Sequence, residues 1–581
     1  MTRTLAELAE KSSLSTVAVQ RHHLPLIEAE LAGLEPTHLV LVCDRLPVPS
    51  GRLFADRWPD ASVTVLTTVA PLRRPARLDL ADVDDDDDVV RELALRPPAE
   101  VIIDLRRLAG TRKSATFSRA FLSLTGGGRY LVAGTPSEQG GKRRAANVAE
   151  FVLSLAARKA RSPRGRWPGM SAVERGLGKA LAAVRVEQDF LAATKGGDHV
   201  LKVDPATAAR AVPARGGARE VLARRAAVTV RSASTIRSND AELERQRLPG
   251  TDVAEELVCT AYGDALCAPR QIASVSGILL PASYFLPWNP RRRTFGVHDF
   301  GPDYSRVPAF EGEPGELAGA YFHLDNQVPG HYGHVITHDL SRLWAWDEAA
   351  ARFPDLKVLL SPALHHEDEV PPYTRQLLEA FGIGPDRITV LREAARVETL
   401  VTATQAFQQP KFLHPAAREV WERVARALLP HARQEPVADR VFISRRSASR
   451  RRCLNGADLE RRFAEAGFAV LHPEEMSLPD QIKVMTHASV VAGYAGSGMI
   501  NTVFSGRPAT RIVIASTSYW ATNEYHLAAM YGGELHYFWC DPATEDDAGK
   551  RSGFHADYRF DFDRDGAALG TLLRSVSQTS G

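Results

Sequence analysis

Short apolar runs separated by helix-length segments recur along most of this chain. That alternation narrows its folds to parallel sheets covered by helices. Between Thr37 and Thr135 the runs HLVLVCD, SVTVLTT, EVIIDL and RYLVAG are nearly continuous in apolar residues, as strands buried on both faces must be. They predict a doubly wound α/β domain over residues 1–160. From Gly319 the pattern returns with AYFHLD, LKVLLSP and ITVL as strands, YTRQLLEAFG and HPAAREVWERVARALLP as helices, and RVFISR as a further strand. A second half follows, with strands AVLHP, VVAGY and TRIVIA separated by helices ADLERRFAEAG, LPDQIKVMTHA and GSGMINTVFS. The fold class expected is therefore α/β, with a cleft between two Rossmann-like lobes preceded by an additional α/β domain.

Length and charge bound the rest. A chain of 581 residues predicts three or four domains rather than a small stapled fold. Its 72 basic and 70 acidic residues leave a formal charge of +2, so no whole-chain attraction to nucleic acid or anionic membrane is encoded. Five cysteines, Cys43, Cys259, Cys267, Cys453 and Cys540, form no CxxC pair and predict neither a zinc ribbon nor a disulfide framework. The N-terminus MTRTLAELAEKSS carries acids where a signal peptide has its apolar stretch, which predicts a cytoplasmic protein with at most peripheral contact at the inner face of a membrane. The uncharged runs Gln271 to Pro290 and Val484 to Gly506 are interrupted by prolines, or by His487, Asn501 and glycines, and do not read as membrane spans. The run Asp84 to Asp88 reads as the solvated start of a helix. Residues 161–256, rich in Arg and Ala, read as a partly helical basic connector, residues 257–435 and 436–545 as the two lobes, and 546–581 as a tail.

The stretch from EVIIDL to GGGRYLVAG resembles the late strand–helix–strand portion of class I S-adenosylmethionine-dependent methyltransferases. The turn after HLVLVCD reads RLPVPSG and lacks that family's glycine-rich cofactor turn, so this domain is read as degenerate. Over roughly Gly319 to Trp539 three blocks carry a second resemblance: GHYGHVITHDLSRLW, FISRRSASRRRCLNGADLERRFAEAGFAVLHPEEMSLPDQI and VVAGYAGSGMINTVF. In order and spacing they resemble glycosyltransferase family 61, with Tyr494 and Ala495 standing where that family commonly has His-Gly. The resemblance implies a GT-B-like arrangement, a nucleotide-sugar donor and a glycan acceptor.

The same residues read bottom-up point the same way. After strand VVAGY the loop AGSG opens a helix, so the amides from Gly496 to Met499 are expected to face a diphosphate, with Ser497, Gly498 and Asn501 nearby. Arg445 follows strand RVFIS at the carboxyl edge of a sheet, where ligands bind in open α/β folds, and Arg451 is expected to join it. Asn455 reads equally as a helix cap or a ligand contact, and Glu475 equally as a partner for ribose hydroxyls or a surface acid. His331, His334 and His338 fall at offsets of three and four on one helix, beside Asp339. A metal site, completed by His365 or His366, would lack the Glu base and Cys ligands of the familiar zinc patterns. His334 or Asp339 is instead expected to take a proton from an acceptor hydroxyl. With no acidic DxD-like strand end, neither metal nor other cofactor is expected.

The sequence thus predicts a metal-independent, inverting glycosyltransferase in bacterial capsular or other cell-surface polysaccharide synthesis. Its partners would be a nucleotide sugar and a glycan, with no nucleic acid. The rival expectations are a methyltransferase of glycans and a noncatalytic scaffold of a glycan assembly complex.

Overall fold

The structure is a computed structural model that describes residues 3–11, 19–43, 48–67, 77–83, 85–106, 110–134, 147–161, 167–187, 189–289, 292–308, 313–445, 450–543 and 551–578. Three large sheets organise these residues. The first runs in the order Leu78–Asp82, Ser62–Thr67, His38–Cys43, Val101–Asp104, Arg129–Ala133, Phe190–Lys195, Leu181–Glu187. Its first five strands are parallel, and Phe190–Lys195 pairs antiparallel to both neighbours. Successive residues of its central strands feed opposite cores: Val40, Val42 and Ile102 enter one, Leu39, Leu41 and Ile103 the other. Both faces are covered, which is why the sequence there shows no polar alternation. Of the run Asp84 to Asp88, Asp84 lies outside the described residues, and from Asp85 the expected helix start is present, with Asp85 Oδ1 accepting from the Asp88 amide at 2.9 Å.

The second sheet is mixed. Gly315–His323 lies between Ala395–Ala403 and Lys357–Leu360, parallel to both, and Lys357–Leu360 continues parallel to Ile388–Val390. The long strand Leu257–Ala268 runs antiparallel to Ala395–Ala403, Ile272–Val275 and Arg219–Arg225. The lobe expected to be Rossmann-like is therefore parallel over only part of its sheet. The third sheet is wholly parallel, in the order Ser234–Ser238, Gly533–Cys540, Ala509–Ser516, Val490–Tyr494, Arg440–Ile443, Ala469–Leu471.

Residues 161–256, expected as a connector, supply strands to all three sheets. They add the hairpin Leu181–Glu187 and Phe190–Lys195 to the first, Val200–Lys202 and Arg219–Arg225 to the second, and Ser234–Ser238 to the third. The 546–581 tail contains the helix Phe562–Gln578, whose Leu569, Leu573 and Val576 cover the outer face of the third sheet against Phe442, Phe463 and Phe538. The opposite face shares one core with the second sheet, in which Leu340, Trp346 and Trp421 join Ile482, Val491 and Trp539. No helix among the described residues is long and apolar enough to cross a membrane.

Candidate functional site

In the third sheet the chain passes from Arg440–Ile443 outward to Ala469–Leu471, then crosses to Val490–Tyr494 on the other side. The strand order reverses between two adjacent parallel strands, with Ile443 opposite Gly493. Ligands of open α/β sheets bind outside the carboxyl ends at such a reversal. Here those ends deliver Ser444 and Arg445 from one strand and the loop Ala495 to Gly498 from the other. They open into a cleft of about 760 Å³ whose facing wall carries His331, Tyr332, Tyr373 and Gln376.

The two walls are latched. Tyr332 donates its hydroxyl to Asn501 Oδ1 at 2.7 Å, and Asn501 Nδ2 donates to Gln481 Oε1 at 2.7 Å. Gly333 lies against Ser497: a Cβ there would stand 3.2 Å from its Oγ. Glycine at 333 thus permits the close approach of the two walls.

Cations dominate the floor. Arg445 is half-buried and donates through Nη2 to the carbonyls of Ala495, at 2.5 Å, and Tyr494, at 3.5 Å. Burial and the neighbouring Arg451 both pull its pKa down, so the pocket disfavours the charge it holds. Arg451 occupies the left-handed region with φ of 56° and spans two rings, 5.2 Å from that of Tyr519 and 5.0 Å from that of Phe554. Its Nε is buried without a hydrogen-bond partner. Among the described residues neither arginine lies within ion-pair distance of a carboxylate, although Arg452 pairs with Asp557 at 2.6 Å. Arg450 also lines the cleft.

The amide arrangement differs from expectation. The Gly496 N–H is spent on Glu524 Oε1 at 2.8 Å, and Met499 N–H turns back to the Gly496 carbonyl at 2.9 Å. Gly496 has φ of 126°, and the turn it begins is only Ser497–Ile500 before tightening to a 3₁₀ segment Asn501–Phe504. The row of outward amides expected from Gly496 to Met499 is thus reduced to Ser497 and Gly498. Glu524 is fully buried, also accepts from the Tyr537 hydroxyl at 2.9 Å, and has its carboxyl pushed up by burial.

The helix expected after His331 is irregular: an α-turn Tyr332–His334, a π-segment Val335–Asp339 and a 3₁₀ segment Leu340–Ala345. π-segments recur at functional sites because they re-aim side chains within a helix. The histidines keep a common face, with ring centroids 4.9 Å apart for His331 and His334 and 4.6 Å for His334 and His338. They form a file from the exposed His331 on the cleft wall to the buried His338. His334 and His338 meet Nδ1 to Nδ1 at 3.3 Å, so one ring donates and the other accepts. Burial holds His334 down to about 3 and His338 well below its ordinary value, so both imidazoles are neutral near neutral pH.

Asp339 points elsewhere. It accepts from Asn326 Nδ2 at 2.7 Å, lies 3.5 Å from Arg342, and lines a separate void of about 20 Å³, space for about one water. Burial pushes its carboxyl well up despite Arg342.

The structure therefore brings Arg445, Arg451, Ser497, Gly498 and Asn501 together at one cleft, with His334 behind His331. Asn455 is not there: it clamps the Phe560 backbone, donating from Nδ2 at 2.8 Å and accepting at 2.9 Å. Glu475 lines a different cavity beside Lys483, and Glu474 faces the cleft in its place. Tyr373 and Gln376 carry no motif signal and join the cleft through the docking of the two walls, whereas Tyr332 and Gln481 lie in the blocks that carry the family resemblance but receive no role there.

Comparison with known proteins fits this geometry. Residues 332–513 match the family model Glycosyltransferase 61. That stretch contains His334 and His338, both arginines and the Gly496 turn, and begins just after His331. No curated protein matches the chain. Solved structures similar to part of it include the MycE methyltransferase from the mycinamycin biosynthetic pathway, with TM-score 0.30 and 15% identity over 34% of this chain and 55% of that one. A putative caffeoyl-CoA O-methyltransferase from Staphylococcus aureus has TM-score 0.21 and 15% identity over 34% of this chain and 93% of that one. Human N-acetylserotonin methyltransferase has TM-score 0.19 and 13% identity over 33% and 57%. The chain thus spans about half the length of MycE.

Proposed function

We propose that the cleft binds a nucleotide sugar and that the protein transfers the sugar to a glycan acceptor with inversion, in the synthesis of a cell-surface polysaccharide. The observation that carries this reading is the pair Arg445 and Arg451 at a sheet reversal, two cations that among the described residues have no carboxylate within ion-pair distance, inside the stretch that matches glycosyltransferase 61. Holding two unpaired guanidinium groups together is costly unless an anion completes them, and a diphosphate does so by bidentate contacts.

In the proposed reaction the acceptor oxygen attacks the anomeric carbon, and the bond from that carbon to the diphosphate breaks. The arginines take up the charge that develops on the leaving nucleoside diphosphate. The hydroxyl proton goes to the histidine file, where burial keeps His334 neutral and so open to a proton while also lowering its basicity to about 3 in the resting site. With Nδ1 of His334 donating to His338, Nε2 of His334 is left with a free lone pair for that role. His331, at the cleft wall, positions the acceptor. Charge neutralisation by arginine makes divalent metal unnecessary.

The test is ligand stabilisation of the full chain. Uridine or guanosine diphosphate is expected to raise the melting temperature, and S-adenosylmethionine is not. Arg445→Ala should weaken nucleoside diphosphate binding by roughly 10–100-fold, the loss of a charge-assisted contact worth about 1.5–3 kcal/mol. Stabilisation by S-adenosylmethionine alone would overturn the reading.

A further inference from the structure

Far from the cleft, two histidines adjacent in sequence converge on one acid 166 residues further along the chain. His22 occupies the N-cap position of the helix His23–Glu30 and His23 begins it, while Asp189 sits between Leu181–Glu187 and Phe190–Lys195. Asp189 Oδ1 is 3.3 Å from His22 Nε2 and 2.8 Å from His23 Nε2. The three atoms lie within 4.8 Å of one another, and the imidazole centroids are 4.0 Å apart. Ligand atoms sharing one cation at bonds of about 2.1 Å stand roughly 3.0–3.4 Å apart in octahedral or tetrahedral geometry, and the two nitrogen–oxygen spacings here, 3.3 and 2.8 Å, lie in or just below that range. A carboxylate serving only as a surface partner does not require two rings to aim the same nitrogen at the same oxygen.

The surroundings suit an ion. The His23 side chain is 1% exposed and fixed beside the Phe190 ring, 6.3 Å between centroids. His22 and Asp189 are 50% and 34% exposed and leave the outer side open to entry and to water ligands. Two imidazole nitrogens and one carboxylate oxygen form a donor set for a borderline divalent cation rather than for Mg²⁺ or Ca²⁺, which take oxygen ligands.

We infer that His22, His23 and Asp189 bind one Zn²⁺-class cation that ties the helix His23–Glu30 to the hairpin of the first sheet. The site is structural, lies outside the stretch that matches glycosyltransferase 61, and stands or falls independently of the reaction proposed above. Three protein ligands leave the remaining positions to water.

The experiment titrates the chelator-treated full chain with Zn²⁺ by calorimetry, and with Co²⁺ by visible absorption, alongside His22→Ala and Asp189→Asn. The wild type should bind one equivalent with micromolar or tighter affinity, show Co²⁺ d–d bands, and melt at a higher temperature with Zn²⁺. His22→Ala, at an exposed position, should fold normally and weaken that equivalent at least about tenfold, with the Zn²⁺-dependent rise in melting temperature lost. Asp189→Asn should do the same, and both should keep wild-type nucleoside diphosphate binding. Absence of a stoichiometric equivalent in the wild type, or unchanged binding in His22→Ala, would overturn the site.

Discussion

At the scale of single residues, His334 and Asp339, five positions apart on one irregular helical stretch, meet different surroundings and should answer mutation differently. His334→Ala is expected to lower kcat by about 10²–10⁴ while leaving nucleoside diphosphate affinity nearly unchanged, because a proton acceptor acts in the transition state only. Asp339→Ala strands Arg342 and Asn326 in the core. It should destabilise the protein by about 3 kcal/mol, with kcat of the folded fraction retained; equilibrium unfolding beside steady-state kinetics separates the two. The buried imidazoles also set an acid limit. His323 and His334 are both held down to about 3 by burial, whereas the unfolded chain protonates them near 6.5. Their contribution is fully present above about 6.5 and is lost as pH falls from there toward 3, since the unfolded state alone binds protons in that window. His334→Gln should flatten part of that slope in unfolding measured against pH. Residue types at this site were readable in sequence where the backbone itself carried a signal: Arg445 after a strand, Ser497 and Gly498 in a glycine turn. The direction of Asp339 was not, because a π-segment breaks the regular spacing that would place it beside the histidines.

At the scale of elements, strands buried on both faces were legible and the exposed edge strands within residues 161–256 were not. His38–Cys43 is buried at every position, whereas Leu181–Glu187 and Ser234–Ser238 keep half their side chains outward and read as connector. The partner that makes Ser234–Ser238 a strand, Gly533–Tyr537, is about 300 residues away, a distance over which local periodicity carries no information. Asn239 secures that pairing by donating to the Trp539 carbonyl at 3.0 Å, accepting from its amide at 2.7 Å and donating to Asp565 at 2.9 Å. Asn239→Ala should cost about 1–3 kcal/mol in denaturant unfolding and leave nucleoside diphosphate affinity intact, because it orphans buried groups remote from the cleft.

At the scale of the whole molecule, the latch through Tyr332, Asn501 and Gln481 and the core shared by the second and third sheets make the cleft a fixed joint. Chelation should leave turnover intact, since in the proposed reaction the arginines and not an ion meet the diphosphate, even where it removes a cation from His22, His23 and Asp189. Activity lost in chelator and restored by Mn²⁺ would refute that. The parallel pairing of Ser234–Ser238 with Gly533–Tyr537 has a bearing on dissection and on synthesis. A fragment cut to the span of the glycosyltransferase 61 match and its C-terminal flank lacks this strand and leaves one side of Gly533–Cys540 with unsatisfied backbone groups, an invitation to intermolecular association. On the ribosome the first strand of that pair emerges some 300 residues ahead of its mate, about 15–60 s at ordinary elongation rates, so the third sheet closes only once Gly533–Tyr537 has emerged.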